Sequence, residues 1–140
     1  MMNEKKIDEL NTILRYKKSM YMDYYLSFVL FFILMIIVVM ISELIRIEVE
    51  VFVFPIFLFT VSQNIVQDFI FHRSIGKRIY RLKIETNIET KKKLLKALAM
   101  RRFYEATYHP LLNKDFAAIV NMIEAMTETK IVDDIKKQDL

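Results

Sequence analysis

The chain has 140 residues, room for a single domain, and 54% of them are hydrophobic, well above the roughly 45–50% usual in soluble proteins. With no cysteine, a disulfide framework and a thiolate metal site are both excluded, and a cytosol-facing protein fits that usage. One glycine and two prolines are too few for a turn-rich β-fold, and the net charge of +4 hides a basic block of +8 over residues 72–108 between two segments of −2 each.

The first element in chain order is a polar segment, 1–23, carrying Lys5, Lys6, Arg15, Lys17 and Lys18. The run YYLSFVLFFILMIIVVMI over 24–41 follows, with only Ser27 and the tyrosine hydroxyls polar. At about 1.5 Å per residue it reaches about 27 Å, close to the thickness of a bilayer's hydrocarbon core. It is apolar on all sides, and a chain this short cannot surround such a helix with protein. A signal peptide is the rival reading, but the run is long for one and no small-x-small cleavage site follows.

A short acidic loop, 42–50, leads to the second span, VFVFPIFLFTVSQNIVQDFIF over 51–71. Pro55 sits in its first turn or just after, where a proline disturbs a helix least. Thr60, Asn64 and Asp68 recur every four residues, as do Gln63 and Gln67, so they share one side of the helix. Polar groups at membrane depth turn toward protein or water. Glue between helices is the plain expectation for this stripe, and a conduction path is the sharper one. Cations flank the pair of spans on the outside and glutamates fill the loop, so the positive-inside rule places both termini in the cytoplasm. Asp23 and Asp68 then meet at one rim, where Arg15, Lys17, Lys18, Arg73, Lys77 and Arg78 approach them as an ionic collar.

After the second span comes FHRSIGKRIYRLKI, which holds Gly76, the only glycine, among five cations. A glycine there is expected to end or redirect the helix leaving the bilayer, in a left-handed or strained conformation. It also lets the backbone approach a lipid phosphate or another helix. Residues 79–84 alternate in a way that suits a short extended piece or an interfacial helix alike. A phosphate-binding P-loop is a poor alternative, because Ser-x-Gly-Lys is not the full pattern and no strand precedes it.

Farther on, Thr86 and Glu89 could form a capping box, or Thr90 could cap directly, for a helix of about 90–107 that stops before Pro110. Its leucines among lysines and arginines favour a basic amphipathic helix lying on the membrane surface; a degenerate third span and a nucleic-acid-binding helix are the rivals. A last helix starts at Asn113 or Lys114–Asp115. Its stripe of Phe116, Ile119, Val120, Ile123 and Met126 should dock on the preceding helix or on a partner. The closing DDIKKQDL is expected to fray.

Asp68, Arg73, Ser74, Ile75, Gly76, Lys77, Arg78 and Ile79, followed by Leu82, Lys83 and Ile84, form a pattern that resembles the signature of the RDD family of small bacterial integral membrane proteins. Arg15 and Asp23 resemble the arginine and aspartate that family carries at the mouth of its first span, and TETKIV over 127–132 is similar to its closing Thr-x-Val-Val. The likeness covers mostly residues 15–84. Family members usually add a further span, whereas 91–108 is too charged for one, and a second glycine near 72–73 is missing. The resemblance implies a bacterial inner-membrane protein, and a link of some members to sodium–proton exchange raises transport as an alternative.

The expected fold is therefore all-α: a two-helix transmembrane hairpin (24–71) between an N-terminal cytoplasmic segment (1–23) and a basic interfacial segment with cytoplasmic helices (72–140). Asp23, Asp68, Arg15 and Asn64 are the candidates for the collar or an ion site, and Ser74, Gly76, Lys77 and Arg78 for a lipid-phosphate or structural motif. His72 and His109 stand without carboxylates at ligand spacing, so no metal, cofactor or catalytic residue is expected. The expected partners are a bilayer with anionic head groups, and further copies of the chain or another membrane protein, but not nucleic acid. The leading function is a membrane-anchored binding or assembly module without enzymatic activity. An oligomeric cation or proton transporter and an immunity or accessory protein to a secreted toxin are the alternatives.

Overall fold

The computed structural model describes residues 3–108 and 115–134. Five helices and two short strands follow in the order α1 (Glu4–Ile45), α2 (Glu50–Phe71), α3 (Ile75–Ile79), β1 (Leu82–Thr86), α4 (Lys91–Thr107), α5 (Phe116–Thr127) and β2 (Thr129–Asp133). The two long apolar runs are both helical. The first is the distal half of a single 42-residue helix, because residues 4–23 are mostly good helix formers with no glycine or proline to stop them. Arg46, in the left-handed region at φ 57°, ends α1 and turns the chain into α2. Pro55 lies inside α2 but only at its sixth residue, close to where its missing N–H costs least.

α1 and α2 are both long and apolar enough to cross a membrane. Only 6% of the most apolar window of α1 and 17% of that of α2 is buried, so neither window lies in the packed core of this fold. The large side chains of these segments, such as Phe28, Ile36, Phe54, Phe57 and Phe59, point outward.

The core lies instead around the proximal half of α1. Tyr16 and Met20 of α1 pack with Leu82 and Ile84 of β1, Leu94 and Leu98 of α4, Phe116 and Val120 of α5, and Ile131 of β2. The rings of Tyr16 and Phe116 are 5.7 Å apart between centroids. β1 and β2 pair antiparallel from Leu82 opposite Asp133 to Thr86 opposite Thr129. This two-stranded sheet is absent from the all-helical expectation. Residues 82–86 take the extended alternative rather than the interfacial helix, and β2 ends on Asp133, within the stretch expected to fray; its last six residues, 135–140, lie outside the described ones.

The last two helices form where the sequence places them. Thr90 precedes α4 without a side-chain cap, and the capping box does not form, because Thr86 lies in β1 and its hydroxyl donates to the Glu128 carbonyl. Pro110, Asn113 and Lys114 fall outside the described residues, and Asp115 caps α5 through its side chain. The buried stripe of α5 is Phe116, Val120, Ile123 and Thr127; Met126 is 55% exposed. α4 buries Leu94 and Leu98 in the core, and α5 packs on α4 and β2, so its stripe is already occupied.

Candidate functional site: a buried charge cluster

Where α1, α2, α3 and α4 converge, six charged side chains meet with almost no access to water. Asp23, Asp68, Glu105, Lys77 and Arg101 are each 1% exposed or less, and the Arg102 side chain is 10% exposed. Burial of charge on this scale is tolerated only when the charges are paired and hydrogen-bonded.

Asp23, the last residue of α1 before its apolar run, is the most fully bonded. Its Oδ1 accepts from the backbone N–H of Gly76 at 2.8 Å, and its Oδ2 accepts from the Ser74 hydroxyl and from Arg102 Nη1 and Nη2 at 3.2 Å. Asp68, near the end of α2, accepts from Arg102 Nε at 2.8 Å and lies 3.5 Å from Lys77 Nζ. Arg102 therefore joins the two aspartates that the sequence places at a common rim. Its third acid is Glu105, whose Oε2 lies 3.4 Å from Nη1.

Glu105 also accepts from the Tyr16 hydroxyl and from Arg101 Nε at 3.2 Å. Arg101 continues to β2, donating to the Thr129 carbonyl at 3.2 Å and to its hydroxyl at 2.8 Å, and to the Tyr16 oxygen at 3.0 Å. One connected network thus ties the rim of the hairpin to the C-terminal strand.

The electrostatics follow from the count of signs. Three carboxylates (Asp23, Asp68, Glu105) face three cations (Lys77, Arg101, Arg102), so the cluster is formally neutral. Burial works against an ionised Glu105, yet Lys77, Arg102 and Arg101 outweigh it and hold the carboxyl at about 2. Burial likewise opposes the charge of Arg102, but Asp68, Glu105 and Asp23 raise its pKa well above the usual value. Burial pushes the Tyr16 hydroxyl well above its ordinary range, so it remains a donor to Glu105.

Of the residues singled out from the sequence, Asp23, Asp68, Ser74, Gly76 and Lys77 come together here. Asn64 lies one helical turn away along α2, where its Nδ2 donates to Ser27 Oγ at 2.9 Å, within the hairpin. Gln63 donates to Ser27 at 3.3 Å and to Asn64 Oδ1 at 2.9 Å, and Gln67 donates to Gln63. The polar stripe of the second span is thus largely consumed between α1 and α2.

Three expectations need correction. Arg15 does not pair with Asp23: it reaches the edge of the sheet, where it forms a salt bridge with Asp133 and donates to the Tyr80 carbonyl at 3.2 Å. Lys77 does not face lipid phosphate; it is wholly buried against Asp68. Gly76 neither ends α2 nor adopts positive φ. His72, at φ 56°, is the left-handed residue that ends α2. Gly76 is required for closeness: a Cβ there would overlap the Ser19 carbonyl and lie 2.6 Å from Asp23 Oδ1 and 2.9 Å from its Cγ. Its other expected use, close backbone approach to a helix, is the one realised, with α1 as that helix. Arg78 is exposed, with no side-chain partner among the described residues, and His109 lies outside them.

Sequence reasoning missed Arg101, Arg102, Glu105, Tyr16 and Thr129. A signal existed in the spacing: 94, 98, 101 and 105 form one stripe along α4, so the face that carries the buried leucines also carries Arg101 and Glu105. Compared with protein-family models, curated proteins and solved structures, the chain finds no match.

Proposed function

We propose that the protein is an RDD-like integral membrane protein of the bacterial inner membrane that acts as an anchored binding or assembly module rather than an enzyme. Two antiparallel spans carry a folded cytoplasmic cap, with both termini inside. One observation carries this reading: among the described residues the packed core surrounds residues 16–20, while the apolar lengths of α1 and α2 stay uncovered and are joined to that core by a buried, neutral ionic junction. The junction fixes the orientation of cap to hairpin, as a module that presents a rigid surface at the membrane requires. Further copies of the chain or another membrane protein are the partners this reading calls for.

Transport of a cation or proton is the second reading, and the aspartate pair is what favours it. Against it weigh the three cations that already neutralise the acids, and Gln63 and Asn64, which are bonded to Ser27 across the hairpin. Nothing in the site speaks for the toxin-immunity alternative.

The absence of cysteine makes the topology directly testable. Single cysteines replace Glu48 in the loop and Glu128 before β2, and intact cells are treated with an impermeant maleimide. Labelling at position 48 alone, with the protein resisting carbonate extraction, is the expected result. Labelling at 128 from outside, or release by carbonate, overturns the proposal.

A further inference from the structure

We propose that each chain holds one phosphate-bearing anionic phospholipid in a groove between the end of α2 and α3. The groove, of about 380 Å³, is lined by Gln67, Phe71, Arg73, Ser74, Ile75 and Arg78. This rests on the reading of α2 as a membrane span and adds to it a specific ligand class.

Depth is the first argument. α2 has 22 residues, about 33 Å at about 1.5 Å each, which matches a hydrocarbon core of about 30 Å. Phe71, its last residue, therefore lies at the hydrocarbon boundary, and the groove beyond it lies at the level of the head groups.

Charge is the second. The groove is lined by two arginines and no carboxylate. Arg73 is paired with Asp134 at 2.7 Å, with 33% of its side chain still exposed, and Arg78 is exposed with no side-chain partner among the described residues. The other groups of this segment are committed elsewhere, since Ser74 and Lys77 serve Asp23 and Asp68. A planar guanidinium without a partner suits a phosphate, which accepts two parallel N–H bonds.

The apolar wall is the third. Phe71 is 66% exposed and Ile75 49%, and Ile79 follows one turn later at 53%. A soluble phosphate has no use for that surface, whereas an acyl chain and glycerol backbone rising beside α2 would cover it. Cation and apolar wall side by side select an amphiphile.

The full chain in detergent is mixed with equal amounts of phosphatidylglycerol and phosphatidylcholine, and bound lipid is counted by native mass spectrometry. One retained phosphatidylglycerol per chain is expected. Arg78→Gln should lower the preference about fivefold, the factor for one basic residue at an anionic surface. Arg81→Gln, at an exposed position outside the groove, should leave it unchanged. Equal loss in both variants, or none in Arg78→Gln, overturns the site. Glycerol phosphate at the same concentration should not displace the lipid; displacement means a free-phosphate site and also overturns it. Carbonate extraction of the same variants separates the two levels. Protein that stays in the membrane without head-group preference rejects only the groove, whereas protein that washes out rejects the spans.

Discussion

Gly76→Ala tests how closely α3 approaches α1. The added methyl group would overlap the Ser19 carbonyl, a backbone atom inside α1 that cannot swing aside as a side chain can, and stand 2.6 Å from Asp23 Oδ1. α3 must then move away, and the 2.8 Å bond from the Gly76 N–H to Asp23 is lost or stretched. A hydrogen bond to a charged group contributes about 1.5–3 kcal/mol, overpacking costs about 1–3 kcal/mol, and alanine's better helix propensity returns about 1 kcal/mol. A net destabilisation of about 1.5–5 kcal/mol follows. Equilibrium unfolding in a fixed detergent, followed by circular dichroism, measures it. Asp23→Asn and the double variant complete a cycle. Because both changes strike one contact, they should be sub-additive by at least about 0.5 kcal/mol. Stability of Gly76→Ala within about 0.5 kcal/mol of the wild type, or strict additivity, would show that the contact is slack and the glycine dispensable.

Three further outcomes are expected. Arg102→Met leaves two buried aspartates without their shared cation and should cost about 3–5 kcal/mol, whereas adding Asp68→Asn should recover part of that; no recovery rejects charge as the cause. Glu105 has a folded pKa of about 2 against an ordinary 4.5, so its ionised form contributes stability that is full above 4.5 and is lost as pH falls toward 2. Glu105→Gln should flatten acid unfolding across that window, and an acid limb as steep as the wild type's would count against the assignment. Arg15 and Asp133, about a quarter exposed, should couple by about 0.2–1 kcal/mol in a double-mutant cycle while Arg15 and Asp23 show no coupling; the reverse pattern would restore the pairing first expected.

Much of this architecture was readable because its signals are local. Long apolar runs announce the distal half of α1 and the first half of α2, and the amphipathic stripe of α5 announces its buried face. The meeting of Asp23 with Asp68 follows from folding one hairpin back on itself. What stayed hidden depends on distant partners. β1 and β2 are too short to stand out, and the strand pairing closes a loop of more than forty residues, from Thr86 to Thr129. Arg102 looks like one surface cation among many along α4, since nothing local reveals that its side chain turns inward between two aspartates. Lys77 misleads for the opposite reason. In a basic segment beside a bilayer, exposure is the natural expectation, and only the turn at His72 carries it back under the hairpin. Gly76 stands out in the sequence as its one glycine, and of the two uses expected of it the fold takes small volume and not conformational freedom.

The unbroken length of α1 has a mechanical consequence. Its 42 residues make a rod of about 63 Å, roughly twice the hydrocarbon thickness. The near half is clamped inside the packed core, so, if the far half spans a bilayer as proposed above, any tilt that a thinner or thicker bilayer imposes on it is delivered whole to that packed domain. A tilt of about 20°, ordinary for a helix in lipid, swings the amino-terminal end sideways by about 10 Å. On that proposal, lipid thickness would be converted into the attitude of the packed domain above the membrane.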